Sequence, residues 1–183
     1  MLSQKGSALP PRETPLPVIV GVRIGLVDGE ISSVDRKAMV GNLVAKLSEA
    51  NVFQKVMFPS PEDADLMLDV GAKVQHYPPS RGLSMIGNIL VCGFSVMLMC
   101  PQGSSEYEYT VSVRAVMGPT NEEINRYLAV GRSRVTYSGL NGEDAHREAW
   151  RLAVTSAYDQ LITQMREDEG KFQVGAGAEK VHP

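Results

Sequence analysis

The stretch EYEYTVSVRAVM, residues 106–117, alternates without a break. Tyr107, Tyr109, Val111, Val113, Ala115 and Met117 fall on one side of a two-residue period, and Glu106, Glu108, Thr110, Ser112 and Arg114 fall on the other. Successive side chains take opposite faces in an extended chain, so the pattern predicts a β-strand with one buried face. Aromatic and β-branched residues on the apolar side suit a pleated, half-buried surface. Such a strand needs partners along its edges and a second layer over its apolar face.

The rest of the chain supplies both. In residues 18–27, Val18, Val20, Val22, Ile24 and Leu26 share a face, which predicts a strand ended by the turn DGE. Residues 52–58 read as a short strand stopped by Pro59 and Pro61. In residues 64–77, Leu66, Leu68, Val70, Ala72 and Val74 face one way, and Pro78 and Pro79 end the strand. Residues 128–139 are the expected hairpin partner of 106–117, across a loop holding Gly118 and Pro119. Val34, Ala38, Met39, Leu43, Val44, Leu47 and Ala50 recur at three- and four-residue spacing, so residues 34–50 form an amphipathic helix with Ser32 or Ser33 as its cap. A second helix over 143–166 carries an inner stripe of small residues, Ala145, Ala149, Ala153, Ser156 and Ala157, with Trp150 at the edge of its seam with the sheet. The order β-α-β-β-insertion-β-β-α predicts an α+β fold: a two-layer sandwich in which a mixed β-sheet carries two helices on one face.

A chain of 183 residues suits one domain. Residues 1–16 read as a flexible leader; its prolines and lack of an apolar run exclude a secretory signal peptide within it. Residues 17–167 form a single domain interrupted by an apolar insertion at 80–103, and residues 168–183 lose all periodicity and read as a flexible tail. Hydrophobic content of 43% with 21% charged residues excludes a disordered chain, and a net charge of −3 gives no electrostatic reason to expect nucleic acid as a partner.

The insertion is the best functional lead. Residues 83–99 contain no charge. As a helix this run would be about 25 Å long, short of a hydrocarbon core of roughly 30 Å. Three fates are open to it: the protein's own core, a surface buried by a second copy or another protein, or contact with a bilayer. Prolines and glycines bracket it on both sides (Pro78, Pro79, Gly82, Pro101, Gly103), which favours contact, and the contact residues would be Leu83, Met85, Ile86, Ile89, Leu90, Val91, Phe94, Val96, Met97 and Leu98. Cys92 and Cys100 lie in or beside the same stretch. They would pair if it folds back on itself in an oxidising compartment; buried free thiols are the alternative. ILVCG, residues 89–93, fails as a lipoprotein cleavage box because Val91 stands where a small residue is needed.

Other candidates are thinner. Arg114, Arg132 and Arg134 fall on the polar faces of two neighbouring strands and could form an anion patch for lipid headgroups or a partner's carboxylates, although Glu106 and Glu108 share that face. His76, His146 and His182 are scattered along the chain, and His146 beside Glu143 and Asp144 reads as a surface residue. Asp65 and Asp69 on one strand stand about 13 Å apart, too far for one ion. No nucleophile motif, phosphate loop or metal-ligand spacing is present, so the chain is expected to be no enzyme and to hold no cofactor or metal.

With these elements in place the chain resembles a group of small Gram-negative envelope lipoproteins, whose domain is similar to the N-terminal domain of TolB and to the periplasmic domain of CsgG-type secretion lipoproteins. The residues that carry the resemblance are the first strand PVIVGVRIGLVDG, the strand EDADLMLDVGAKV, the apolar insertion ending in proline, the strand YEYTVSVRAV and the alanine-rich last helix. It spans roughly residues 17–166. It implies a non-enzymatic envelope module in the periplasm or at the outer membrane, a lipoprotein-like subunit or accessory factor of an assembly, secretion or transport complex, with a protein partner, self-association or membrane contact. The chain departs from the group in showing no lipidated N-terminal cysteine. The alternative is a soluble cytoplasmic domain that binds a protein or a small apolar ligand.

Overall fold

The computed structural model of the chain describes residues 10–11, 13–28, 33–77, 103–137 and 142–177. In chain order the elements are β1 (Leu16–Asp28), α1 (Ser33–Glu49), β2 (Phe53–Met57), β3 (Leu66–Tyr77), β4 (Gly103–Met117), β5 (Glu123–Tyr137), α2 (Gly142–Glu167) and α3 (Glu169–Gly177). The strands form one mixed sheet in the order β2-β1-β3-β4-β5. β1 runs parallel to both β2 and β3, and β4 runs antiparallel to its two neighbours, β3 and β5. The α+β sandwich is as expected, with α1 and α2 on one face.

The two-residue period decides that face. Val18, Val20 and Val22 of β1, Leu66, Leu68 and Val70 of β3, Tyr109, Val111 and Val113 of β4, and Tyr127 and Ala129 of β5 are all buried in one cluster. The same cluster takes in Met39, Val40, Leu43 and Leu47 from α1 and Ala153, Ala157, Leu161 and Met165 from α2. The small-residue stripe of α2 lets its backbone lie against β5. A Cβ placed on Gly131 would fall 1.8 Å from the Ala153 carbonyl oxygen, so no larger residue fits there without moving the helix. The contact is fixed by side chains reaching in both directions. The Ser133 hydroxyl donates to the Ala149 carbonyl, and Gln160 and Gln164 donate to the carbonyls of Val130 and Leu128 at 3.1 and 3.0 Å. Those two carbonyls lie on the outer edge of the sheet, and covering them is one way an edge strand avoids pairing with other chains.

Two residues past the end of α1, Asn51 has a left-handed φ of 53°, a conformation asparagine tolerates better than most residues. Arg166 of α2 donates to the Ala50 carbonyl at 2.6 Å, placing a cation at the negative end of α1.

The chain after Asp168 differs from the flexible tail expected from residue 168. It continues as helix α3 as far as Gly177. Phe172 is 2% exposed and packs edge-on against Phe53, with ring centroids 5.4 Å apart, and beside Tyr127. Burying one phenylalanine contributes about 1.5–3 kcal/mol, enough to hold a short helix that its own sequence would not.

Candidate functional site at the insertion end of the sheet

β3 and β4 pair in unbroken register from Leu66 with Met117 to Tyr77 with Glu106. The link between them is therefore attached at one end of the sandwich. The uncharged run 83–99, its ten expected contact residues, and Cys92 and Cys100 lie outside the described residues. The described residues on either side of it are Tyr77 at the end of β3 and Gly103 at the start of β4.

Four elements end or begin there. β3 brings His76, the start of β4 brings Ser104, Ser105 and Tyr107, the end of β5 brings Tyr137, and the first turns of α2 bring His146 and Trp150. His76 and Tyr107 are cross-strand partners, which puts their side chains on one face; their rings stack at 4.5 Å and 24°. The His146 ring meets His76 edge-on at 5.4 Å. Its Nδ1 lies 2.7 Å from the hydroxyl of Ser105, a residue that is fully buried. Tyr137 lies 5.9 Å from His146 on another side. One helical turn further on, half-buried Trp150 touches Tyr107 and Tyr109 edge-on at 5.8 and 5.5 Å. Tyr109 meets Tyr158 at 5.8 Å.

The aromatic run thus passes from the end of the sheet into the core, where it closes on a hydrogen-bond chain. Tyr158 donates to the Met39 carbonyl at 2.9 Å, and the Tyr109 hydroxyl lies 3.2 Å from that of Tyr158. Because the Tyr158 proton is committed to the carbonyl, Tyr109 is the donor between the two hydroxyls. Burial pushes the Tyr158 phenol up to about 12, against the pull of the Tyr109 bond. Tyr109 is pushed higher still, by burial first and by Tyr158 second. Both stay neutral at any physiological pH. Trp150 and Tyr158 also line a groove of about 350 Å3 between α1 and α2, with Asn42, Lys46, Arg151 and Val154.

The three arginines of the expected anion patch do not stand together. Arg114 lies six residues along β4 from Glu108, the register partner of Arg132, about 20 Å at strand rise. Arg114 and Arg23 both bond Asp69, at 2.7 Å each. Arg132 bonds Glu108 at 2.6 Å, and Arg134 donates to the Ser104 hydroxyl at 3.1 Å. Burial would raise the Asp69 carboxyl, but the hydrogen bonds from Arg23 and Arg114 outweigh it and hold the group below the ordinary carboxylate range. Register also forms a row that periodicity alone does not reveal: Arg23, Asp69, Arg114 and Arg126 are successive neighbours across β1, β3, β4 and β5.

The histidine cluster escaped the sequence reading because its members are far apart in the chain. The signals were phase signals. His76 continues the buried phase of Ala72 and Val74, and His146 stands four residues before Trp150, one helical turn away.

No family model matches the chain, and no curated protein matches it. Several solved structures are distantly similar to it, each with a TM-score below 0.5. A homologue of neuraminyllactose-binding hemagglutinin from Helicobacter pylori is 13% identical with a TM-score of 0.49, covering 91% of this chain and 91% of its own. The uncharacterized lipoprotein B from Nitrosomonas europaea is 15% identical with a TM-score of 0.48, covering 94% and 97%. The rare lipoprotein B from Shewanella oneidensis is 12% identical with a TM-score of 0.43, covering 85% and 96%. Likenesses this loose do not say what the chain does.

Proposed function

We propose that the chain is a non-enzymatic cell-envelope module, a lipoprotein-like subunit or accessory factor of an outer-membrane assembly, secretion or transport complex, and that residues 83–99 make its contact with a second copy, a partner or a membrane. Kinship with the TolB N-terminal or CsgG-like domain, and a periplasmic or outer-membrane location, belong to this proposal. One observation carries it. β3 and β4 are adjacent antiparallel strands in full register, a pair that two to five residues can join. Here residues 78–102 intervene, with the uncharged run at their centre. The described sheet and helices share one buried hydrophobic cluster, and in this reading the run adds a contact surface to it rather than a further core element. Among the described residues no helix is long and apolar enough to cross a membrane.

Ser105 and His146 do form a serine–histidine pair, but the complete burial of Ser105 supports a structural role for it. The groove between α1 and α2 favours the second reading, a soluble domain that binds a protein or a small apolar ligand.

Replacing Ile89 and Phe94 with Asp tests the first reading. Light scattering of the natural sequence should show self-association, or a stable complex with its partner or with vesicles. The double variant should be a monomer that binds neither, with unchanged circular dichroism. Global unfolding of the variant, or association that survives it, contradicts the proposal.

A further inference from the structure

We propose that His76 and His146 form a binding site for one late first-row divalent metal ion, Cu2+, Ni2+ or Zn2+. The two imidazoles come from β3 and α2 and meet with centroids 5.4 Å apart at 68°. Two imidazoles that share one ion at a metal–nitrogen distance of about 2.0–2.1 Å, at a near-tetrahedral angle, have centroids about 5 Å apart. The centroid spacing thus suits a shared ion, which the rings would bind by turning a nitrogen of each toward it.

Their surroundings restrict them further. Tyr107 stacks on His76 and Tyr137 flanks His146. Ser105 lies 2.7 Å from His146 Nδ1. A hydroxyl accepting from Nδ1–H leaves the lone pair on Nε2, and a partner of this kind is what orients a metal-binding histidine. Among the described residues no group of three or more His, Cys, Asp or Glu side chains is placed to hold an ion, so the proposed site has two protein ligands and leaves the other coordination positions to water. A ligand pair made only of imidazole selects late transition metals over Ca2+ and Mg2+, with Cu2+ tightest.

The test is a calorimetric titration of the full chain, free of any affinity tag, with CuCl2, NiCl2 and ZnCl2, and with CaCl2 and MgCl2 for contrast. The expected result is one equivalent of each transition metal and none of the other two. His76→Gln and His146→Gln should each weaken binding roughly tenfold or more, while His182→Gln leaves it unchanged. A readout on the unaltered protein does not depend on the variants folding: Ni2+ should broaden the imidazole NMR signals of His76 and His146 first. Absence of saturable micromolar binding, equal binding in both variants, or broadening centred on His182 or the cysteines overturns the site.

Discussion

Asp69 anchors the open face of the sheet, and its chemistry has a pH signature. Its folded carboxyl titrates below the ordinary value of 3.8, so the folded state holds this proton less tightly than the unfolded chain does. The stability it contributes is present above pH 3.8 and fades as pH falls through the lower folded value. Asp69→Asn should therefore destabilise the protein at neutral pH, and its denaturation midpoint should converge on that of the unaltered protein in acid. A gap that persists in acid would mean that packing around the side chain, rather than its charge, is responsible. Tyr158 makes a second prediction at this scale. Tyr158→Phe leaves the Met39 carbonyl and the Tyr109 hydroxyl without their buried partner, which should cost about 1–3 kcal/mol in chemical denaturation. Neither role was legible in the sequence. Alternation places Asp69 on a polar face and says nothing of the two strands that supply its arginines. Tyr158 falls between Ala157 and Asp159, where only the path of α1 gives its hydroxyl a partner.

At the scale of elements, period was a good guide to strands and helices, and singular contacts were not. The stripe Ala145, Ala149, Ala153 and Ala157 was readable as a close helix–sheet seam, and all four residues are buried. Its counterpart, Gly131, was not, because a glycine in a strand does not announce which backbone approaches it. Gly131→Ala should push α2 off β5 and cost about 1–3 kcal/mol or more; a neutral result by thermal or chemical denaturation would mean that the helix rides higher than described. α3 was missed for a related reason. Its sequence, EGKFQVGAG, has no apolar stripe, and among its described side chains Phe172 is the one that is buried. Phe172→Ala should cost about 3–5 kcal/mol, and amide exchange should show α3 released from the sheet. Protection unchanged over residues 169–177 would contradict that anchoring.

For the molecule as a whole, the sandwich could be read from the alternation of β1, β3 and β4 and the stripes of α1 and α2, since each buries one face and the simplest closure places both helices together. The strand order could not. Alternation assigns faces but not neighbours, and the parallel pairing of β1 with β2 and β3 is settled by long-range contacts that leave no local mark. The central proposal is that this sandwich folds without residues 78–102 and that the uncharged run within them serves contact. The most direct measurement replaces residues 78–102 with a Gly-Asn-Gly turn and compares the product with the unaltered chain by light scattering and thermal denaturation. The account predicts a cooperatively folded monomer with a similar melting temperature that has lost self-association and binding to partner or membrane. A product that fails to fold would place the run in the protein's own core, and one that still associates would move the contact surface elsewhere.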